Sequence, residues 1–465
     1  MCAIVFALRS HVYSIEYWLG GVQMLLRYIV SNFKSIGHPV EFSMFPTACN
    51  ADDRFLKTIN TKAGEWKVLR RGGFFGPNAA GKSSFIESIK FARDFIVDGQ
   101  KSGKGTGINQ FKGEFDDLQG VSFFQFMFYL DGEVYEYGFS LDRRQVHEEW
   151  LMQLTEKDLE PLFSRSTDED GKTEIQIESK FARKNSKDRM LAEILKDSIQ
   201  ESQKNQLFLY KLCDNGIKKA EKIVDWFKNI QVIFPKTKVQ ALPLQLKADE
   251  ELRKYIASML EKMDTGVYEI SVASDEIDFH ELAQKLDLPK EIVDDIEEIK
   301  NGIVNLNGKY FVFSEQKKRT ILVQLKFNHR LNNKAVQFNI DDESDGTQRL
   351  VDLLPMLFSI GKSQSIYFVD EIDRSLHTKL SQYLLDEFAK NAGEEDNQIV
   401  FTAHDVNLIN LRNFRQDEIW FIEKNRAGES QIKPFSDFDM KDGQDALKAY
   451  LNGRFGAVPM VRGQY

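Results

Sequence analysis

Gly76-Pro77-Asn78-Ala79-Ala80-Gly81-Lys82-Ser83, with Ser84 next, satisfies G-x-x-x-x-G-K-[ST] at every fixed position. The residues on either side supply the context that this motif needs. Upstream, Trp66–Phe75 reads as a strand ending in the apolar pair Phe74-Phe75. Downstream, Phe85, Ile86, Ile89, Phe91 and Ala92 recur at helical spacing. A strand, a glycine loop and a helix together make an anion cradle, because inward-turned N–H groups and the positive end of the helix converge on one point. The pattern predicts a nucleotide site formed by Gly76, Asn78, Gly81, Lys82, Ser83 and Ser84. Lys82 is expected to reach the β- and γ-phosphates of ATP, and the Ser83 hydroxyl to ligate Mg²⁺.

Composition sets the limits around that site. A chain of 465 residues is long enough for two or three domains, and 42% of it is hydrophobic, with 36 phenylalanines. The net charge of −9 excludes nucleic-acid binding by bulk electrostatics, so any such contact requires a local patch. Cys2, Cys49 and Cys213 are widely separated and form no C-x-x-C. That argues for a reducing, cytoplasmic setting and against a structural zinc. No run approaches the roughly 18 apolar residues of a membrane span. Residues 1–23 are interrupted by Arg9, His11 and Glu16, unlike a secretory signal, and read as an extension or disordered tail ahead of a start at Met24.

Along the chain, Leu25–Phe33 and Val40–Phe45 read as an opening hairpin, and Asn50–Lys62 as a loop with a short helix. Asp98–Gly107, with four glycines, reads as a mobile loop. Val121–Leu130 and Glu133–Leu141 flank Asp131-Gly132, the strongest short-range hairpin signal. The facing sets Phe124, Phe126, Phe128 and Tyr135, Tyr137, Phe139 read as a core ladder rather than a binding platform. Residues 151–306 read as a mainly helical insertion, with helices in Lys180–Asp225, Asp249–Asp264 and Leu288–Lys300. Lys180, Arg183, Lys184, Lys187 and Arg189 form a basic cluster there, read chiefly as a solvated face. Strands return at Lys309–Ser314, Arg319–Phe327 and Ala335–Ile340.

A second set of chemical residues follows. Ser365–Asp370 is an apolar strand ending in an acid, with Glu371 next. Asp370 is placed to hold Mg²⁺, directly or through water. Glu371 is placed to act on the attacking water, as general base or by orienting it. Ser344-Asp345-Gly346-Thr347-Gln348-Arg349 precedes a helix at Leu350–Ile360 and reads as a second anion-binding device, or as a turn capped by Ser344 or Asp345. Two such devices in one chain imply two protomers meeting head to tail, each completing the other's site. Gln398–Thr402 is a further strand, ending at Ala403-His404-Asp405, where a histidine can sense a γ-phosphate.

These elements, in this order, resemble the ABC-type ATPase heads of the SMC and RecF kind. They look most like the bacterial AAA-family ATP/GTP-binding proteins grouped with OLD-type ATPases. The resemblance is carried by Asn32-Phe33-Lys34-Ser35, Gly76–Ser83, Ser344–Arg349, Tyr367–Leu376 and Phe401–Asp405, together with Asp417–Lys424 and Tyr450–Pro459. It implies an α/β fold: a split ABC-type head with residues 24–150 as the P-loop lobe, 151–306 as the arm and 307–465 as the second lobe. It further implies Ser344, Gly346 and Gln348 as a composite signature, Asp373 in the D-loop, and His404 as switch beside Glu371. Relatives of this kind, AbiL-like, PARIS-like or Septu-like, are ATPase components of anti-phage systems. The likeness therefore implies an oligomeric ATP-dependent sensor or scaffold that holds a separately encoded nuclease or toxin, triggered by nucleic acid or a phage protein. Two departures stand out. The signature has Asp345 at the consensus serine and Thr347 at its second glycine. For the Q-loop only Gln110 and Gln125 are candidates. The stretch after His404 is too short for the Toprim unit of OLD nucleases, so no nuclease site is expected in this chain. The competing expectation is a RecF- or SMC-like repair ATPase that grips duplex DNA through the basic cluster.

Overall fold

The computed structural model describes residues 4–7, 22–47, 55–101, 103–113, 120–168, 170–239, 241–278, 283–284, 290, 293, 301–306, 309–314, 319–360, 362–411, 413–438 and 446–456. Cys2, Cys49, all of the expected helix at 288–300 but residues 290 and 293, and residues 457–459 fall outside these, as does most of the expected N-terminal extension. The fold is mixed α/β, with several sheets and helices. The chain divides into two compact units, residues 19–235 with 363–465, and residues 1–18 with 236–362.

The larger unit is built on a six-stranded sheet in the order Ile230–Ile233, Ile366–Val369, Gln398–Ala403, Arg71–Phe75, Ile419–Lys424, Ser430–Pro434. The first five strands pair in parallel and the last is antiparallel. Parallel strands covered on both faces read as unbroken apolar runs, and Ile366–Val369 and Gln398–Ala403 are buried throughout. The P-loop strand Arg71–Phe75 sits between the strand ending in Ala403 and the strand Ile419–Lys424. Phe75 pairs with Ala403, and Val369 with Phe401, so the carboxyl ends of three strands meet at one edge.

A seven-stranded antiparallel sheet forms the second layer of this unit. Its order is Thr173–Ile177, Leu159–Thr167, Val146–Leu154, Glu133–Leu141, Ser122–Leu130, Gln23–Ser31, Val40–Ser43. Asp131 and Gly132 both take left-handed φ, 52° and 85°, as a two-residue hairpin turn demands. The register sets Phe124 opposite Phe139, Phe126 opposite Tyr137 and Phe128 opposite Tyr135. All six rings are buried, so the aromatic ladder is core, as expected. The P-loop helix Lys82–Val97 bridges the two layers. Phe85 meets Phe74 at 4.7 Å and Tyr28 at 5.7 Å, while Phe95 stacks on Phe139 at 5.7 Å. The Tyr28 hydroxyl donates to Ser88 Oγ at 2.9 Å, which ties the helix to the antiparallel sheet.

Several expectations need correction. Trp66–Phe75 is two strands, Gly64–Leu69 and Arg71–Phe75, in different sheets and broken at Arg70. The expected loop at 50–62 includes a strand, Leu56–Thr61, paired with Gly64–Leu69. The stretch 151–306 is not one helical insertion. The expected cut at 151 runs through the strand Val146–Leu154, and Leu159–Thr167 and Thr173–Ile177 extend the same sheet. Helices do follow, at Lys187–Glu201, Phe208–Asp214 and Lys218–Lys228, but Ile230–Ile233 returns to the P-loop sheet.

The smaller unit holds a sheet in the order Ile4–Ala7, Asn301–Leu306, Lys309–Ser314, Arg319–Leu331, Val267–Ile277, with Lys334–Asn339 paired to Arg319–Leu331. Ile4–Ala7, inside the expected tail, is therefore a strand paired to Asn301–Leu306. The expected boundary at 306 falls between two strands of one antiparallel pair. Helices Glu250–Lys262 and Asp345–Ile360 accompany this sheet, with Tyr255 and Phe358 rings 5.3 Å apart.

Candidate nucleotide site

Local chain geometry makes the P-loop. Ala79 and Gly81 take left-handed φ, 62° and 114°, so the backbone curls before the helix begins at Lys82. Gly76 is packed so tightly on the next strand that a Cβ there would lie 2.1 Å from the Ile422 carbonyl oxygen. A Cβ on Gly81 would lie 2.0 Å from Ser430 Oγ and 2.8 Å from Ser35 Oγ. Ser430 Oγ donates to the Ala80 carbonyl at 2.6 Å and lies 2.8 Å from Ser35 Oγ, whose hydroxyl can donate to it, so two remote serines brace the loop from behind. Sequence reading quoted Ser35 only within its motif and missed Ser430, because nothing in the linear pattern joins residues this far apart.

A cavity of about 640 Å³ lies over the loop, lined by Ser35, Pro77–Ser84, Glu371, His404 and Lys424. Lys82 is buried and donates to the carbonyls of Gly76 at 2.6 Å and Pro77 at 3.1 Å. Its Nζ is also 3.2 Å from His404 Nδ1. Burial pushes its pKa down to about 8, against the attraction of Asp373, Asp370 and Glu371. His404 Nε2 lies 3.2 Å from Glu371 Oε1, so this imidazole links the lysine to the carboxylate. Glu371 takes a left-handed φ of 47°, receives no support from a glycine there, and is fixed by its N–H donating to Thr402 Oγ1 at 2.8 Å. Its other oxygen lies 3.4 Å from Arg374.

Asp370 is buried at the end of its strand, where Thr402 Oγ1 donates to it at 2.6 Å. Burial raises its pKa, while hydrogen bonds from Thr402 and Ser83 pull the other way. Ser83 and Asp370 thus form an oxygen-only pair at the loop. That donor set fits Mg²⁺, which takes one or two carboxylates and completes its shell with phosphate and water. Among the described residues no group of three or more His, Cys, Asp or Glu side chains is arranged to hold a metal by itself. Asp373 turns back on the chain: its Oδ2 accepts from the backbone N–H groups of His404 at 2.9 Å and Asp405 at 2.6 Å.

Ser344, Gly346 and Gln348 belong to the other compact unit. The helix there begins at Asp345, five residues before the expected Leu350, so Gly346 and Gln348 lie in its first turn. Ser344 Oγ accepts from the Thr347 N–H at 3.1 Å, which makes Ser344 the cap, and Gln348 Nε2 donates to the Glu343 carbonyl at 3.0 Å. Of the Q-loop candidates, Gln125 is on the strand Ser122–Leu130 and Gln110 donates to the Gly120 carbonyl; neither lines the P-loop cavity. The basic cluster is divided. Lys180 pairs with Glu160 and Arg189 with Glu193, while Arg183, Lys184 and Lys187 are exposed. Among the described residues, no helix is long and apolar enough to cross a membrane.

A family model described as "AAA domain, putative AbiEii toxin, Type IV TA system" matches residues 73–410, well over half of the chain. No curated protein matches the sequence. Among solved structures, the SMC head domain from Thermotoga maritima is 12% identical, with 88% of this chain and 98% of that one covered at a TM-score of 0.36. An SMC head bound to the C-winged helix domain of ScpA is also 12% identical, with 88% and 96% covered at a TM-score of 0.38.

Proposed function

Because the chain belongs to the family of AAA domains described as putative AbiEii toxin, Type IV TA system, we propose that it is a Mg²⁺-dependent ATPase that acts as an oligomeric sensor or scaffold for a separately encoded effector in phage defence. The observation that carries the reading is the line Lys82–His404–Glu371, with both steps at 3.2 Å, across a cavity walled by the P-loop. Lys82 exchanges its own loop carbonyls for phosphate oxygens. Ser83 and Asp370 would hold Mg²⁺, which when bound would supply positive charge beside the phosphates. Glu371 orients or deprotonates the water that attacks the γ-phosphate in line, and His404, touching both Lys82 and Glu371, reports whether that phosphate is present. Ser344, Gly346 and Gln348 of a second copy close the site, so that ATP governs assembly and assembly governs the effector.

The test is Glu371→Gln in the full chain. Removing a general base or water-orienting carboxylate costs roughly 10²- to 10⁴-fold. The variant is expected to hydrolyse ATP at least about a hundredfold more slowly while still retaining bound ATP on a desalting column. Hydrolysis at the wild-type rate removes Glu371 from the mechanism.

A further inference from the structure

The helix Lys187–Glu201 has two unlike faces. Ala192, Leu195 and Ile199 are buried and form its inner face, and Ser186 caps its start by accepting from the Arg189 N–H at 3.1 Å. The outer face is a stripe of Lys187, Met190, Ile194, Asp197 and Glu201, at alternating steps of three and four residues, and every member is exposed. That spacing is the seam along which two helices pair. Met190 and Ile194, one turn apart, are 60% and 65% exposed, the two most exposed large hydrophobic side chains among the described residues. Charge is sorted around this apolar centre. Arg183, Lys184 and Lys187 lie at the N-terminal end, Asp197 and Glu201 at the C-terminal end, and none of these five has an ion-pair partner among the described residues. Glu193, beside the stripe, is already engaged by Arg189 at 2.7 Å and Lys196 at 3.6 Å. The order of the stripe's charges runs against the helix dipole, which favours acids at the N-terminus and bases at the C-terminus. The helix by itself therefore gains nothing from them.

We propose that this stripe is a self-association surface, on which two copies of the chain pair through antiparallel Lys187–Glu201 helices about a twofold axis. The occupant follows from charge complementarity. A parallel copy would set Lys187 on Lys187 and Asp197 on Asp197. An antiparallel copy sets Met190 against Ile194, Lys187 against Asp197 and Arg183 against Glu201 in a single register, because the members of each pair are equidistant from Ala192. A twofold axis makes every such contact twice, as an isologous interface requires. One helix pair is a small interface, so the association is reversible and depends on concentration. It is separate from the contact between copies at the ATP site and does not depend on that reading.

Sedimentation velocity of the full chain without nucleotide, from micromolar to submillimolar protein, tests this. The wild-type chain is expected to shift to a dimer as concentration rises. Ile194→Glu is expected to weaken that association at least about tenfold. Lys187→Glu and Asp197→Lys, each alone, set like charges opposite one another and are expected to weaken it by about tenfold. The double variant restores opposite charges in the antiparallel register and is expected to return to within about threefold of wild type. All three positions are exposed, so the thermal midpoint of each variant is expected to match wild type. A wild-type chain that stays monomeric throughout overturns the proposal, including where the same residues instead retain duplex DNA or anionic lipid vesicles. Self-association that survives Ile194→Glu places the contact elsewhere and overturns it. A double variant as weak as the single ones overturns it too.

Discussion

Lys82 holds its ammonium against the carbonyls of its own loop, and that arrangement has a pH consequence. Burial lowers its pKa to about 8, so the side chain is charged below that value and becomes neutral above it. A phosphate is attracted only by the charged form. ATP affinity is therefore expected to fall as pH rises from 7 to 9, by up to about tenfold per unit once above pH 8, as one linked proton requires. Titration of a non-hydrolysable ATP analogue across that range checks it; a flat profile places the phosphate-binding charge elsewhere. The residues of this site were unevenly legible. Gly76–Ser83 and Asp370-Glu371 stand out because short-range spacing fixes what each must do. Thr402, which donates to Asp370 and accepts from Glu371, carries no such mark. Its role comes from lying on the strand between the P-loop strand and the strand ahead of Asp370. Asp373 was legible as a loop acid, but its backbone partners at His404 and Asp405 depend on that same strand order.

At the scale of elements, sequence periodicity identified strands more readily than their sheets. The Asp131-Gly132 hairpin was legible because turn chemistry and alternation agree over one continuous stretch. Trp66–Phe75 looked like one strand because its apolar content continues past Arg70, yet its halves pair with different partners. Ile230–Ile233 was hidden at the end of a helical stretch, and only its parallel pairing with Ile366–Val369 makes it part of the P-loop sheet. The antiparallel layer has its own internal support, also invisible in sequence. Glu149 is fully buried 3.8 Å from Arg165, accepts from the N–H groups of Phe208 and Leu209 that open the helix Phe208–Asp214, and accepts from the Tyr137 hydroxyl. Arg165 in turn donates to the Gln206 and Lys204 carbonyls. Removing one member leaves a buried charge without its partner, which costs about 3–5 kcal/mol. Glu149→Ala is expected to lower unfolding stability by that amount in denaturant melts. A loss below about 1 kcal/mol would show that the pair does not hold the helix to the sheet.

For the whole molecule, the proposed function makes Gly76–Ser83 half of a site that Ser344, Gly346 and Gln348 of another copy would complete. Within each chain these residues belong to different compact units, and the strand Ile366–Val369 that leads to Asp370 and Glu371 joins the P-loop sheet from the far side of the sequence. The most direct measurement is ATP hydrolysis by a mixture of two full-length variants, Lys82→Ala and Gly346→Asp, each at least about a hundredfold impaired alone. If sites form between copies, mixed pairs contain one intact site, built from the P-loop of the Gly346→Asp chain and the signature of the Lys82→Ala chain. Mixing is then expected to restore a substantial fraction of wild-type activity, up to about one quarter for random pairing in dimers. A mixture no more active than its separate components, with both variants folded and oligomeric like wild type, would contradict it.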